Sequence, residues 1–245
     1  MKYIKIIDYF IYLHKILTNQ PYLGIVLRSL QCLNTKRITV MESMIEKELK
    51  DAETPYRILE IGSWAGQSTM VWGLACKKRG RGKVFCVDTW KGADNVIWMQ
   101  NMKHKILKLF YHNIKASGLE DHIVPINGSS DEIANILRKD SFNFIYIDGN
   151  HSYKQFKKDL VNYMKSVKVG GILCGDDLNL FPKEIDMAYT REHCEEDFID
   201  EPNTGKAYHP GIALGIYEVF GNNIVMKEGF WAMRKMKGNW ETVEL

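Results

Sequence analysis

The five cysteines of this 245-residue chain include no C-x-x-C pair and are odd in number. That excludes a disulfide framework and a zinc knuckle, and it fits reduced thiols in a cytoplasmic protein. No long block of basic charge is present. Lys and Arg are interspersed with Asp and Glu to a formal net charge of +3, which leaves no nucleic-acid footprint. The one basic run, 77–83, lies between a helix pattern and a strand pattern and reads as a solvated loop. Nor is there an apolar stretch of membrane-spanning length: Met1 to Leu17 is apolar with Lys2 and Lys5, but Asp8, His14 and Lys15 interrupt it, so it reads as neither a span nor a signal peptide. Repeats and low-complexity tracts are absent too.

Two phosphate-binding signatures are also missing. The G-x-G-x-x-G fingerprint needs a second glycine where the backbone approaches a pyrophosphate, and that position holds Trp64. No Lys-Ser or Lys-Thr follows Gly66, which excludes a P-loop. A bound diphosphate, and with it an NAD-dependent oxidoreductase, is thereby disfavoured.

What is present is a strand, a glycine turn and a helix start. Ile58 to Ile61 is a short apolar run, followed by Gly62, small residues, Gly66 and a helix-compatible segment. In an open α/β sheet, ligands bind beyond the carboxyl ends of the strands, so Gly62 to Thr69 should line a small-molecule pocket. Asp88 ends the next apolar run, Val84 to Val87, where a carboxylate accepts the hydroxyls of a ribose. The pattern asks for a nucleoside without a diphosphate. An apolar content of 45% supports the core of one main domain.

The segment Leu59-Glu60-Ile61-Gly62-Ser63-Trp64-Ala65-Gly66-Gln67-Ser68 resembles the first motif of class I S-adenosylmethionine-dependent methyltransferases, and Val87-Asp88-Thr89-Trp90 their second acidic motif. Ile147-Asp148-Gly149-Asn150-His151-Ser152-Tyr153 and Gly170 to Asp177 resemble the metal-dependent O-methyltransferases of the catechol and macrolide-sugar types. The likeness runs from about Arg57 to Arg234. It implies an α/β, Rossmann-like three-layer sandwich with a mixed seven-stranded sheet over residues 51–245, preceded by a helical N-terminal extension over 1–50.

Taken in order, Ile4, Ile7 and Ile11, with Phe10, Leu13 and Leu17, give helical spacing that Pro21 ends. This helix would pack on the domain or on a twin subunit, as in a homodimer, rather than on a membrane surface. Thr39 and Glu42 fit a capping box opening a helix from Val40 to Leu49. Lys91 to Met99 is a lid or an ordinary connection. Ile123 to Ile126 is a strand, and Pro125 places it at an edge. Phe142 to Ile147 is a mid-sheet strand, and Lys168 to Gly171 turn the chain into a strand over Ile172 to Cys174. The acid-rich insertion from Phe181 to His209 is too long for an idle connection and should shape the acceptor site. Gly211 to Phe220 reads as a helix, and two closing strands flank Gly229.

For chemistry, Asp148, Asp176 and Asp177 bring three carboxylates to neighbouring strand ends, which calls for a divalent cation or retained protons. Oxygen ligands favour magnesium, manganese or calcium, and the resemblance favours magnesium. His151, three residues after Asp148, is the candidate general base, or only a polar residue at a helix start. Catechol-type relatives carry lysine at the matching position, which turns the expectation from catechols towards a sugar hydroxyl. By the same resemblance, Glu60 would face the methionine ammonium of the cofactor, and Gly62, Ser63, Trp64, Gly66 and Ser68 would form the turn around it. Asp88 and Thr89 would hold the ribose, and Trp90 with the turn at Ser129 and Ser130 would border the adenine. The expected activity is metal-dependent methyl transfer from S-adenosylmethionine to a small-molecule or saccharide hydroxyl. The alternatives are a small aromatic diol as acceptor, or a nucleoside-binding module without catalysis.

Overall fold

The computed structural model describes residues 2–23, 35–50, 54–92 and 105–245, with side chains from residue 9 onward. Of the segment Lys91 to Met99, read above as lid or connection, only Lys91 and Gly92 lie within them.

Two helices lead in, α1 (Lys2–Leu17) and α2 (Thr35–Lys50). The alternating unit follows: β1 (Arg57–Ile61), α3 (Gln67–Lys78), β2 (Lys83–Asp88), α4 (Ile106–Ala116), β3 (Ile123–Asn127), α5 (Ser130–Ile136), β4 (Phe142–Ile147), α6 (Tyr153–Met164) and β5 (Val167–Gly175). A 3-10 turn (Pro182–Glu184), α7 (Met187–Glu192) and the two-residue strands β6 (Ile199–Asp200) and β7 (Ala207–Tyr208) make up the insertion. The chain closes with α8 (Pro210–Phe220), β8 (Met226–Lys227), β9 (Phe230–Lys235) and β10 (Trp240–Thr242).

Seven strands run in the order β10-β9-β5-β4-β1-β2-β3, and short β8 pairs with β9. The pairs among β1 to β5 are parallel, whereas β9 meets β5 and β10 antiparallel. The expected mixed seven-stranded sheet is therefore present, with β8 added. Pro125 sits on edge strand β3, where its missing amide costs no ladder bond on the open side.

Alternation along the strands builds two cores. Ile58, Val84, Cys86, Phe144, Tyr146, Ile172 and Cys174 face α2, α3 and α4, with Trp72 of α3 against Phe144 and Tyr146. Leu59, Ile61, Val87, Ile145, Ile147 and Leu173 face α5, α6 and α8. Period-two alternation thus yields the three layers.

Two local expectations are corrected. The second helix starts at Thr35, so Thr39 lies inside it and donates its hydroxyl to the Thr35 carbonyl instead of capping. Lys168 to Gly171 are already part of β5; a register shift against β4 absorbs the glycine pair as a bulge, and a Cβ on Gly171 would lie 2.7 Å from the Asn143 carbonyl oxygen.

Candidate active site

The sheet reverses its direction of winding between β1 and β4, and a crevice opens there beyond the carboxyl ends of the strands. The walls meet at Gly62. Its φ is +88°, and a Cβ there would sit 1.9 Å from the Asp148 carbonyl oxygen, so only glycine lets the chain leave β1 so close to the end of β4. The Asp148 amide donates to the Ile61 carbonyl at 2.8 Å, and the Gly62 amide to that of Val87 at 2.9 Å. These bonds fix a cavity of about 460 Å³, well within the range of small-ligand pockets.

Gly62, Ser63, Trp64 and Ser68 line the cavity, with Asp88 and Thr89 beside them. Asp88 is a backbone clamp as well as a wall. Its Oδ2 accepts from the amides of Ser63 at 2.9 Å and Trp64 at 2.8 Å, and Oδ1 from the Trp90 amide at 2.6 Å. Burial lifts its pKa, against the pull of these amides.

The far end is formed by Ser129 and Ser130 with Gln155 and Asp159. Ser129 caps α5 in a full capping box with Glu132. Asp159 is 2% exposed, accepts from Gln155 Nε2 at 3.0 Å, and is pushed up to about 6 by burial.

Three residues expected in the pocket are elsewhere. Glu60 alternates to the opposite sheet face from Leu59 and Ile61, where it is wholly buried and takes the Thr69 hydroxyl. It is absent from the cavity wall, and burial raises its pKa. Gly66, with a φ of +89°, gives room to the ring of Phe110 rather than to a ligand. Trp90 is core: its ring packs at a tilt against Phe110 at 5.1 Å and donates Nε1 to the Trp64 carbonyl at 2.9 Å.

At the mouth, Asp148 directly follows β4, and Asp177 follows β5 with a left-handed φ of 60°. Their carboxylates and His151 form a group whose ligand atoms all lie within 4.8 Å of one another. His151 Nε2 is 3.3 Å from Asp177 Oδ2. Asp176, the third expected ligand, is not in this group. Its Oδ1 lies 2.6 Å from Arg37 Nη1 and accepts from the Asp177 amide at 2.7 Å, and its Oδ2 is 3.3 Å from the Tyr146 hydroxyl. Arg37 also reaches Asp177 Oδ1 at 3.1 Å and donates Nε to the Glu228 carbonyl at 2.6 Å.

The electrostatics follow from crowding. Burial, then Asp176 and Asp177, push the Asp148 carboxyl well above its usual range, with Arg37 opposing. Burial and Asp177 raise Asp176 likewise. Burial opposes charge on His151, but the Asp197 hydrogen bond and the charges of Asp177 and Asp197 outweigh it and raise its pKa. Three carboxyl groups share one guanidinium, so burial and mutual repulsion favour retained protons on Asp148 and Asp176.

Sequence reading missed Arg37, Tyr146, Gln155, Asp159, Asp197 and His209. Only the acid-rich insertion, which carries Asp197 and His209, gave a signal. Arg37 meets Asp177 across 140 residues, and nothing local marks it.

The family described as methyltransferase domain matches residues 59–178. Among solved structures, the chain is similar to the O-methyltransferase from Bacillus cereus in complex with S-adenosylhomocysteine, at 15% identity over 83% of this chain and 82% of that one, with a TM-score of 0.52. It is similar to the O-methyltransferase TomG from Streptomyces achromogenes, involved in tomaymycin synthesis and solved with S-adenosylmethionine, at 12% identity over 91% and 86%, with a TM-score of 0.55. The O-methyltransferase NovP matches at 14% identity over 82% and 80%, with a TM-score of 0.56. The sheet order, the Gly62 turn and the matched span agree: residues 59–178 match a methyltransferase domain, set in a Rossmann-like methyltransferase fold.

Proposed function

We propose that the chain transfers the S-adenosylmethionine methyl group to a hydroxyl oxygen, with a divalent cation, probed first as magnesium, and with a sugar as acceptor. The observation that carries this reading is the convergence of Asp148, Asp177 and His151 at the mouth of a cavity bounded by the Gly62 turn and Asp88. The solved relatives with bound cofactor, O-methyltransferases by name, support the oxygen acceptor.

The donor set suits the cation. Asp148 and Asp177 would hold it, and Asp176 would act behind them by gripping Arg37 and the Asp177 amide. When bound, such a cation lowers the pKa of a coordinated hydroxyl. The protein's own share is placement. Asp88 and the amides it clamps would hold the nucleoside, and Ser129 and Ser130, backed by Gln155 and Asp159, would meet the adenine. His151 would accept the hydroxyl proton at Nε2. A sulfonium supplies a methyl group already activated toward nucleophiles, so alignment and exclusion of water account for most of the work.

Histidine rather than lysine at position 151 supports a sugar over a catechol, and the insertion carrying Asp197 and His209 supports an acceptor site of its own. Residues 1–50 are assigned as a helical extension of the 51–245 domain, with α2 docked on α3. Exposed Tyr9, Phe10 and Leu17 on α1 support a homodimer contact. Among the described residues no helix is long and apolar enough to cross a membrane, and buried free Cys76, Cys86 and Cys174 support a cytoplasmic setting.

Turnover on a panel of free and glycosidic sugars and of catechols, with magnesium and with excess chelator, tests the reading. Sugar methylation lost on chelation is expected. Catechol methylation alone would move the acceptor to the aromatic class, and full turnover in chelator would remove the cation.

A further inference from the structure

The insertion between β5 and α8 does more than border the cavity. It is fastened to the chain segment that carries His151. The Tyr153 amide donates to the Cys194 carbonyl at 3.0 Å, the Lys154 amide to Glu195 Oε1 at 3.1 Å, and His151 Nδ1 lies 2.8 Å from Asp197 Oδ1. Gly211, at the start of α8, closes the same junction: a Cβ there would lie 2.2 Å from the His151 carbonyl oxygen and 2.8 Å from that of Cys194.

Asp197 is itself held from behind. His209 Nδ1 lies 2.5 Å from the Asp197 carbonyl oxygen and 3.5 Å from its Oδ1. The His209 ring packs edge-on against His151 at 4.4 Å and against Phe198 at 4.6 Å. The two nitrogens of His151 therefore have different neighbours: Nδ1 is engaged by the insertion, and Nε2 faces Asp177 and the cavity mouth.

We propose that Asp197 is a positioning residue for His151, accepting the Nδ1 proton so that the lone pair of the neutral imidazole sits on Nε2, facing the acceptor hydroxyl. An imidazole pinned through one nitrogen has its tautomer and ring orientation set by that bond. Without Asp197 the ring would sample both tautomers and rotate. The inference rests on the reading of His151 as the base, and it gives the insertion a direct hand in the chemistry.

The test is a double-mutant cycle on the full chain with magnesium and saturating S-adenosylmethionine. Asp197→Ala should lower kcat by roughly ten- to a hundredfold, the range seen when an orienting partner is removed, with KM for the donor unchanged. In a His151→Ala background, Asp197→Ala should cost nothing further. An equal loss in both backgrounds would overturn the proposal, because Asp197 would then be acting on the acceptor or on the fold. Nitrogen-15 spectra of the magnesium-loaded protein, taken where the ring is neutral, give an independent readout. Protonated Nδ1 is expected in the wild type and a mixed population in Asp197→Ala; an unprotonated wild-type Nδ1 would overturn the assignment. If His151→Ala itself retains wild-type turnover, the base reading falls, and the spectra still decide whether Asp197 fixes the tautomer.

Discussion

Arg37 Nη1 lies 2.6 Å from Asp176 Oδ1, a buried ion pair that joins α2 to the end of β5. It makes the leading helices part of the site. Removing one partner of such a pair leaves an uncompensated buried charge, at a cost of about 3–5 kcal/mol. Arg37→Met should therefore destabilise the protein, with a defined pH dependence. Burial and Asp177 already raise the Asp176 pKa, and loss of the guanidinium raises it further. The destabilisation is full above that folded-state pKa and fades as pH falls through it, because a proton then neutralises the carboxylate. Urea unfolding of wild type and variant at several pH values should show the gap narrowing towards acid. A gap independent of pH would mean that Arg37 acts by packing alone.

Asp88→Ala should weaken S-adenosylhomocysteine binding by about 1.5–3 kcal/mol, the usual loss for a charge-assisted hydrogen bond. Because the same carboxylate collects the amides of Ser63, Trp64 and Trp90, the variant should also melt several degrees lower. Calorimetry and thermal unfolding read the two effects separately. Wild-type cofactor affinity with a lowered melting temperature would leave Asp88 only the clamping role.

The acidic residues at the mouth should fall into two classes. Asp148→Asn and Asp177→Asn should each raise the magnesium requirement steeply and lower turnover at least a hundredfold at fixed cation, since each removes a ligand. Asp176→Asn should change the magnesium requirement much less, because Asp176 is committed to Arg37. Titration of activity with magnesium decides it. Equal shifts for all three variants would restore Asp176 as a ligand.

How far the sequence could be read depended on the range of the interactions involved. Strands β1, β2, β3 and β4 and helix α8 were legible because apolar runs and glycine stops are local signals, and Pro125 marked its edge correctly. Thr39 misled because its capping pattern falls inside a helix that already runs from Thr35. Glu60 and Trp90 misled for another reason: motif position does not say which sheet face a side chain takes. At the mouth, Asp148 and Asp177 come together at neighbouring strand ends, whereas Asp176 turns to Arg37. That division is set by Arg37, which lies outside every motif, and the partner of His151 comes from 46 residues away.

The buried carboxylate at the far end of the cavity makes a last prediction. Asp159 is 2% exposed, receives one hydrogen bond from Gln155 at 3.0 Å, and is pushed up to about 6 because burial outweighs the bonds from Ser130 and Gln155. Its folded pKa lies above the unfolded one, so the folded state binds the proton more tightly. That contribution to stability is complete below the unfolded value, near 4, and is lost as pH rises through about 6. A shift of about two units corresponds to at most about 3 kcal/mol. Asp159→Asn can still accept from Gln155 but does not titrate, so the stability of wild type minus that of the variant should fall between about pH 4 and pH 7. S-adenosylhomocysteine should flatten that fall in the wild type, because an exocyclic amine donating to Asp159 favours the ionised form. Denaturant unfolding with and without S-adenosylhomocysteine measures both effects. A difference curve that is flat without ligand would show that Asp159 titrates like a surface carboxylate, and one that ligand does not change would place the adenine amine elsewhere in the cavity.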